Sequence, residues 1–415
     1  MWHFARSSTN TENDQVHFSA INANQSDDTT FFVCSSELFA SPQMVDWAFT
    51  QICDKPRPLV NIAARKLANT GQLDYLKSLH DRRLLNTQHP DLGTCTSAVR
   101  GGQLHVIKWL AENKYWPESR WKFEWNRFAK IAAGCGNLEI LKYLHDISGR
   151  VNEETFAAAA KEGHLEILKW LKEVNCPKNG LSCTAAAAKR GHFGILKWLR
   201  ENGFPWNASV CSCAATSGNL EMLQWARENG CQWDHHTCTN AVISGHFHIL
   251  KWAHQNGCPI DEAACDFAAE AGQLEILKYL QENGSKCTIF GSYNAAIRGH
   301  LHVMKWLRSY GYQWTSDNFA SVAGEGHLVV LKWLLEIGCS YDNSAVIKAA
   351  AKGHLEVLKW LVEIGCSLSE ECCRMAASCG DINLLQWLID NGCPWNKKAL
   401  EKLKNKKLKE WLSNK

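Results

Sequence analysis

The chain has 415 residues, 46% of them hydrophobic, with 19 tryptophans, 19 cysteines and a formal net charge of +3. No apolar run reaches the ~18 residues needed to span a bilayer, and the opening stretch MWHFARSSTNTENDQ lacks the apolar core of a secretory signal. Residues 397–415 hold eight lysines and two glutamates, so the rest is close to neutral, which speaks against a general nucleic-acid or membrane binder.

Residues 1–30 are rich in Ser, Thr, Asn, Asp and Gln without periodicity and are expected to be disordered. Residues 31–56 are expected to form an N-terminal capping half repeat, in which SPQMVDWAFTQICD reads as a lone helix carrying Trp47 and Cys53. From 57 to 396 one short phrase recurs twelve times. It begins at Gly71, Gly102, Gly136, Gly163, Gly191, Gly218, Gly245, Gly272, Gly299, Gly326, Gly353 and Gly380. From Gly191 onward every interval is 27 residues. A fixed period in this range is the signature of a solenoid, whose repeats bury their apolar faces against one another.

Counted from its glycine, each repeat is apolar at +2, +4 or +5, and +8, the stripe of an amphipathic helix. Glycine at +12 (Gly203, Gly230, Gly257, Gly284, Gly311, Gly338, Gly365, Gly392), or Asn175, predicts a left-handed residue closing that helix. A pair of alanines before the repeat glycine, as in Ala159-Ala160 or Ala268-Ala269, marks a first helix that packs closely. Two short helices, a glycine turn and a loop use all 27 positions, so no strand is expected. Residues 397–415 read as a basic C-terminal capping segment, with Leu400, Leu403, Leu408, Trp411 and Leu412 at helical spacing.

The repeat A-A-x-x-G-H-L-E-V-L-K-W-L-x-x-x-G-C-P-W resembles the ankyrin repeat over residues ~57 to ~396. The family's T-P-L-H opening is missing, and each repeat is about six residues shorter than the usual ~33. The resemblance implies an all-α, helix-turn-helix solenoid of about twelve repeats with half-repeat caps and little or no β-hairpin. Cys- and Trp-rich arrays of this kind are similar to those of large DNA viruses and protists. The implied function is non-enzymatic binding of a partner protein through a concave face of loops and first helices. Alternatives are an adaptor recruiting substrates to a ubiquitin ligase or other host machinery, and nucleic-acid binding through a lysine ladder and basic tail. No cofactor or metal site is expected, and the protein reads as an intracellular monomer, cytoplasmic or nuclear.

Recurring side chains read as structural. Cysteines thirteen after or seven before the repeat glycine read as packed thiols, because no CxxC pair occurs. Lysine at +6 pairs with glutamate at +3 in several copies. Histidine at +1 (His164, His192, His246, His300, His327, His354) is expected to cap its own helix. Positions that differ between copies are the candidates for partner contact. In the loops these are Trp206, Trp233, Asp234, His235, His236, Asp261, Glu262, Trp314, Tyr341, Asp342 and Trp395. The 34-residue interval from Gly102 to Gly136 adds Trp116, Trp121 and Trp125, either as a protruding anchor or as core of a lengthened first helix.

Overall fold

The computed structural model describes residues 57–85, 91–115, 122–148, 151–397, 400 and 406–413. The segments 1–30 and 31–56, with Trp47 and Cys53, lie outside the described residues, as do Trp116 and Trp121. All regular elements among the described residues are α-helices. They belong to two compact bodies that divide at Ala187/Ala188, inside helix Gly180–Lys189.

The first body holds the helix pairs Arg57–Thr70 with Leu73–Asp81, Leu92–Arg100 with Leu104–Glu112, Lys122–Gly134 with Leu138–Ser148, and Glu153–Glu162 with Leu165–Glu173. The second runs from helix Phe193–Glu201 to the pair Glu370–Cys379 with Ile382–Asp390, against which helix Lys406–Ser413 packs. Within each body a first helix packs on its own second helix and on neighbouring first helices. The alanine pairs make that approach possible: Ala159, Ala160, Ala268 and Ala269 are fully buried. The second-helix stripe lies over them, as with Ile167, Leu168 and Leu171, all buried to 2% or less exposure.

The glycines hold the turns. Gly163 at φ 94° links a first helix to its second, and Gly284 at φ 90° ends a second helix. A side chain in this left-handed region is strained. Asn175 occupies it at φ 51° as expected, and so do Arg83 and Lys114 at the same +12 place.

Several first helices start beside a residue sixteen after the preceding glycine whose side chain accepts a backbone N–H. Asn152 accepts from Thr155 N at 3.1 Å, Asp234 from His236 N at 3.1 Å, and Asp261 from Ala264 N at 3.1 Å. Asp342 accepts from Ser344 N at 2.8 Å. Each satisfies a helix-start donor that has no partner within the helix.

The expectation that +1 histidines cap their own helices is overturned. His164, His246 and His327 make no such bond. Their Nε2–H instead donates to the end of the preceding repeat's first helix: His164 to Gly134 O at 3.1 Å, His246 to Thr216 O at 3.2 Å, His327 to Ile297 O at 3.0 Å. Gln103 Nε2 does the same to Asn69 O at 3.3 Å. The ring also lies under the preceding repeat glycine. A Cβ on Gly299 would sit 2.7 Å from His327 Nδ1. Of the short residues at this place Asn219 and Asp381 cap their own helices, whereas Asn137 Nδ2 donates to Val99 O at 3.2 Å.

The thiols close each repeat on itself. Cys176, Cys231 and Cys258 donate S–H to the carbonyls of Asn152, Asn207 and Asp234, each at 3.3 Å, and Cys393 to Ser369 at 3.1 Å. Each acceptor is the residue just before the first helix of the same repeat.

Three outcomes are expected. Gly299→Ala should lower stability more than Gly311→Ala. Both have positive φ, but nothing lies within 4 Å of the Gly311 Cβ site. The strained conformation costs roughly 1–2 kcal/mol and the clash with His327 roughly 1 kcal/mol more, readable as a difference in urea midpoints. Asp234→Ala should cost about 1 kcal/mol, measured by the same titration. Burial holds the His300 imidazole below its ordinary pKa. The unfolded chain therefore takes up the proton first, and stability should fall as pH drops below about 6.5 while staying level above it. His300→Gln keeps a donor in place and should flatten that fall between about pH 7.5 and about pH 5.

Candidate functional site

The loop tryptophans sit in stacks between repeats. Trp206 lies edge-on to Trp225 of the next repeat, centroids 5.5 Å apart, with the Arg200 guanidinium 4.5 Å over its ring. Trp233 repeats the arrangement with Trp252 at 5.8 Å and Arg227 at 4.1 Å. Trp314 is buried, 5.5 Å from Trp333, and its Nε1 donates to Ser292 O at 3.1 Å. Tyr341 stacks on Phe319 at 5.4 Å and donates its hydroxyl proton to Ile364 O at 3.2 Å. Trp395 lies 6.5 Å from Trp411 of the last described helix. Edge-on rings and a cation over a face are favourable packing in their own right.

The lengthened repeat is core where it is described. Trp125 is 3% exposed and Phe128 fully buried on the 13-residue helix Lys122–Gly134. Tyr115 is buried, stacked on Trp109 at 5.8 Å, with its hydroxyl 2.7 Å from His80 Nδ1. A protruding anchor is therefore not what Trp125 forms.

The aspartates correct a premise of the sequence reading, that packing places no demand on the loop positions. Asp234, Asp261 and Asp342 start helices, and Asp261 also accepts from Thr239 Oγ1 at 2.9 Å and lies 3.9 Å from His235. His235 and His236 place their rings 4.1 Å apart. His236 and Glu262 remain exposed.

The open surface lies on the first helices. Nine, five and two residues before the repeat glycine, side chains point away from the core. The chemistry there changes from copy to copy: Glu154, Ala158 and Lys161 in one repeat, His236, Asn240 and Ile243 in another, Phe290, Asn294 and Ile297 in a third. Sequence reasoning placed candidates at the start of these helices and missed the rest of the face. The alanine pairs on either side were the signal that could have found it.

Burial pushes the Cys176 and Cys183 thiols up to about 12, where the nucleophilic thiolate is scarce at neutral pH. Among the described residues no group of three or more His, Cys, Asp and Glu is placed to hold a metal ion. No described helix is long and apolar enough to cross a membrane.

Residues 129–210 match the family model "Ankyrin repeats (3 copies)", and residues 292–362 and 346–389 match "Ankyrin repeats (many copies)". A comparison with curated proteins finds no match. Among solved structures the chain is similar to the human ASB11 ankyrin repeat domain, with 20% identity and a TM-score of 0.37 over 45% of this chain and 99% of that one. It is also similar to the maize pentatricopeptide repeat protein PPR10, with 11% identity and a TM-score of 0.36 over 95% of this chain and 80% of that one. The family matches fall on the helix pairs and glycine turns described above, and the chain is an ankyrin-repeat protein with repeats shortened to 27 residues.

Proposed function

We propose that the protein is a non-enzymatic scaffold that binds a partner protein through the open face of its first helices. The observation that carries this reading is the contrast between two surfaces. The second helices repeat one chemistry: Glu166 with Lys169 at 2.7 Å, Glu275 with Lys278 at 2.9 Å, Glu356 with Lys359 at 2.7 Å. The first-helix face carries a combination of side chains that changes from copy to copy, although single residues such as Asn240 and Asn294 recur. A surface whose scaffold is constant while its chemistry varies is suited to recognising one shape among many.

The same contrast weakens the nucleic-acid reading. Besides the three paired lysines, the Lys197 and Lys251 ammonium groups lie 4.0 and 4.2 Å over the Phe193 and Phe247 rings. Five members of the expected lysine ladder are thus engaged within their own repeats. Recruitment of substrates to a ubiquitin ligase would use the same face, with the ligase subunit among the bound proteins.

The test is proximity labelling in the source cell with three versions of the full chain. Lys189→Glu, His236→Glu and Met375→Arg together alter the first-helix face, while Lys142→Glu with Lys332→Glu alters the second helices. The first set should lose the labelled partners while keeping its urea midpoint within about 0.5 kcal/mol, as exposed changes do. The second set should keep them. Partners retained by the first set and lost by the second would place recognition on the other surface. Salt-dependent binding of a 30-nucleotide RNA or DNA by the wild type would turn the reading to nucleic acid.

A further inference from the structure

Nine large apolar side chains are exposed among the described residues, and four of them lie in three consecutive first helices: Ile243 (50%), Phe267 (37%), Ile289 (74%) and Phe290 (68%). The others are not gathered in this way. Tyr310 rests on Trp306 at 4.6 Å, Tyr341 on Phe319, and Val329 is on a second helix. Scattered single residues of this kind need no explanation, whereas a cluster marks a contact surface.

The packing of helices Ala263–Glu270 and Ile289–Ile297 ties the backbones that carry three of the four side chains closely together. The Asp266 carboxylate accepts from Thr288 N at 2.8 Å and from its Oγ1 at 2.6 Å. The Glu270 carboxylate accepts from Asn294 Nδ2 at 3.2 Å and from Arg298 at 3.1 Å. The two helices are therefore bridged at both ends. A Cβ on the intervening Gly291 would lie 2.9 Å from Asp266 Cα, so that glycine lets the backbones close up. Phe267 follows Asp266 in the chain, and Ile289 and Phe290 follow Thr288. The same bridge thus fixes the backbone beside all three.

The charge around them is predominantly negative. Asp261, Glu262 and Asp266 have no Lys or Arg partner in an ion pair, although His235 lies 3.9 Å from Asp261; Glu270 is matched by Arg298. Lys286 is the exposed cation on the adjoining loop. An acidic rim around aromatic anchors complements a segment that presents apolar side chains on one face and cations beside them.

We propose that Ile243, Phe267, Ile289 and Phe290 dock a partner segment with apolar anchors flanked by lysine or arginine. This rests on the reading of the first-helix face as the binding surface, and it names where on that face the partner is anchored and what its chemistry is. A second copy of this chain is the competing occupant.

The probe is a displayed library of random 16-residue peptides selected on the immobilised full-length protein at physiological salt. Enriched peptides are then titrated by fluorescence anisotropy. The selection should yield peptides with apolar residues three or four apart and net positive charge. Phe267→Ser with Phe290→Ser should weaken them at least about tenfold, and Ile289→Lys, a milder change at an exposed site, should weaken them as well. Glu262→Lys should weaken them about threefold and reduce their salt dependence, and Val329→Ser should change nothing. Circular dichroism and the urea midpoint check that each variant is folded. Several outcomes overturn the proposal: no enrichment, peptides without net positive charge, or peptides that bind the Phe267→Ser/Phe290→Ser protein as tightly as wild type. If such peptides are instead lost with Lys189→Glu, His236→Glu and Met375→Arg, the binding-face reading stands and this location falls. A concentration-dependent dimer in sedimentation equilibrium, dissolved by Phe267→Ser with Phe290→Ser, would assign the patch to a second copy.

Discussion

The close approach of one repeat's histidine ring to the preceding repeat's glycine sets the geometry of the stacked pairs. A first helix of nine residues ends with carbonyl groups that no residue of its own helix can satisfy. The neighbouring repeat supplies the donor, as His327 does for Ile297 O, and it reaches that carbonyl because Gly299 has no side chain in the way. The requirement fits a donor at +1 (imidazole or carboxamide), a left-handed glycine at the turn and a nearly constant spacing between them.

The thiols and indoles add to this packing. A +13 cysteine such as Cys231 meets the carbonyl at the opposite end of its own repeat's first helix, so that helix is held at one end by its successor and at the other by the loop that leaves its own repeat. The alanine pairs let the helices come together, and the Arg–Trp–Trp stacks fill the space between loops. Small, soft and flat side chains are useful here for one reason: short helices offer little area, so close packing must make up for length. The abundance of cysteine follows from packing, and burial keeps the Cys176 and Cys183 thiols poor nucleophiles.

The helix pairs were legible in the sequence because their signal is local. Ile167, Leu168 and Leu171 reveal a helix within one turn, and Gly284 announces its end. The partner of His164 was not legible, because Gly134 lies 30 residues earlier and only the stacking brings them together. The caps were legible and misread. Asn152, Asp234 and Thr288 differ in charge and shape, so they look variable, yet each presents an acceptor oxygen to a backbone N–H. Trp206 and Trp314 were ambiguous for a related reason. Whether an indole in a loop is wet or dry depends on the ring of the following repeat, and it is dry at Trp314. What remains exposed could be found only by subtracting these obligations, which left the first-helix face and its apolar cluster.

The +1 side chains that reach a neighbouring repeat, such as His164, His246 and His327, face backward along the chain, and that gives the array a polarity. Remove the leading repeat of a stack, and the next one is left with an imidazole that water can solvate cheaply. Remove the trailing repeat, and the one before it is left with bare carbonyl groups at a helix end and an uncovered glycine turn. Loss of order should therefore start from the carboxyl-terminal side of such a stack and run toward the amino-terminal side, like a row of roof tiles that lifts from the last one laid.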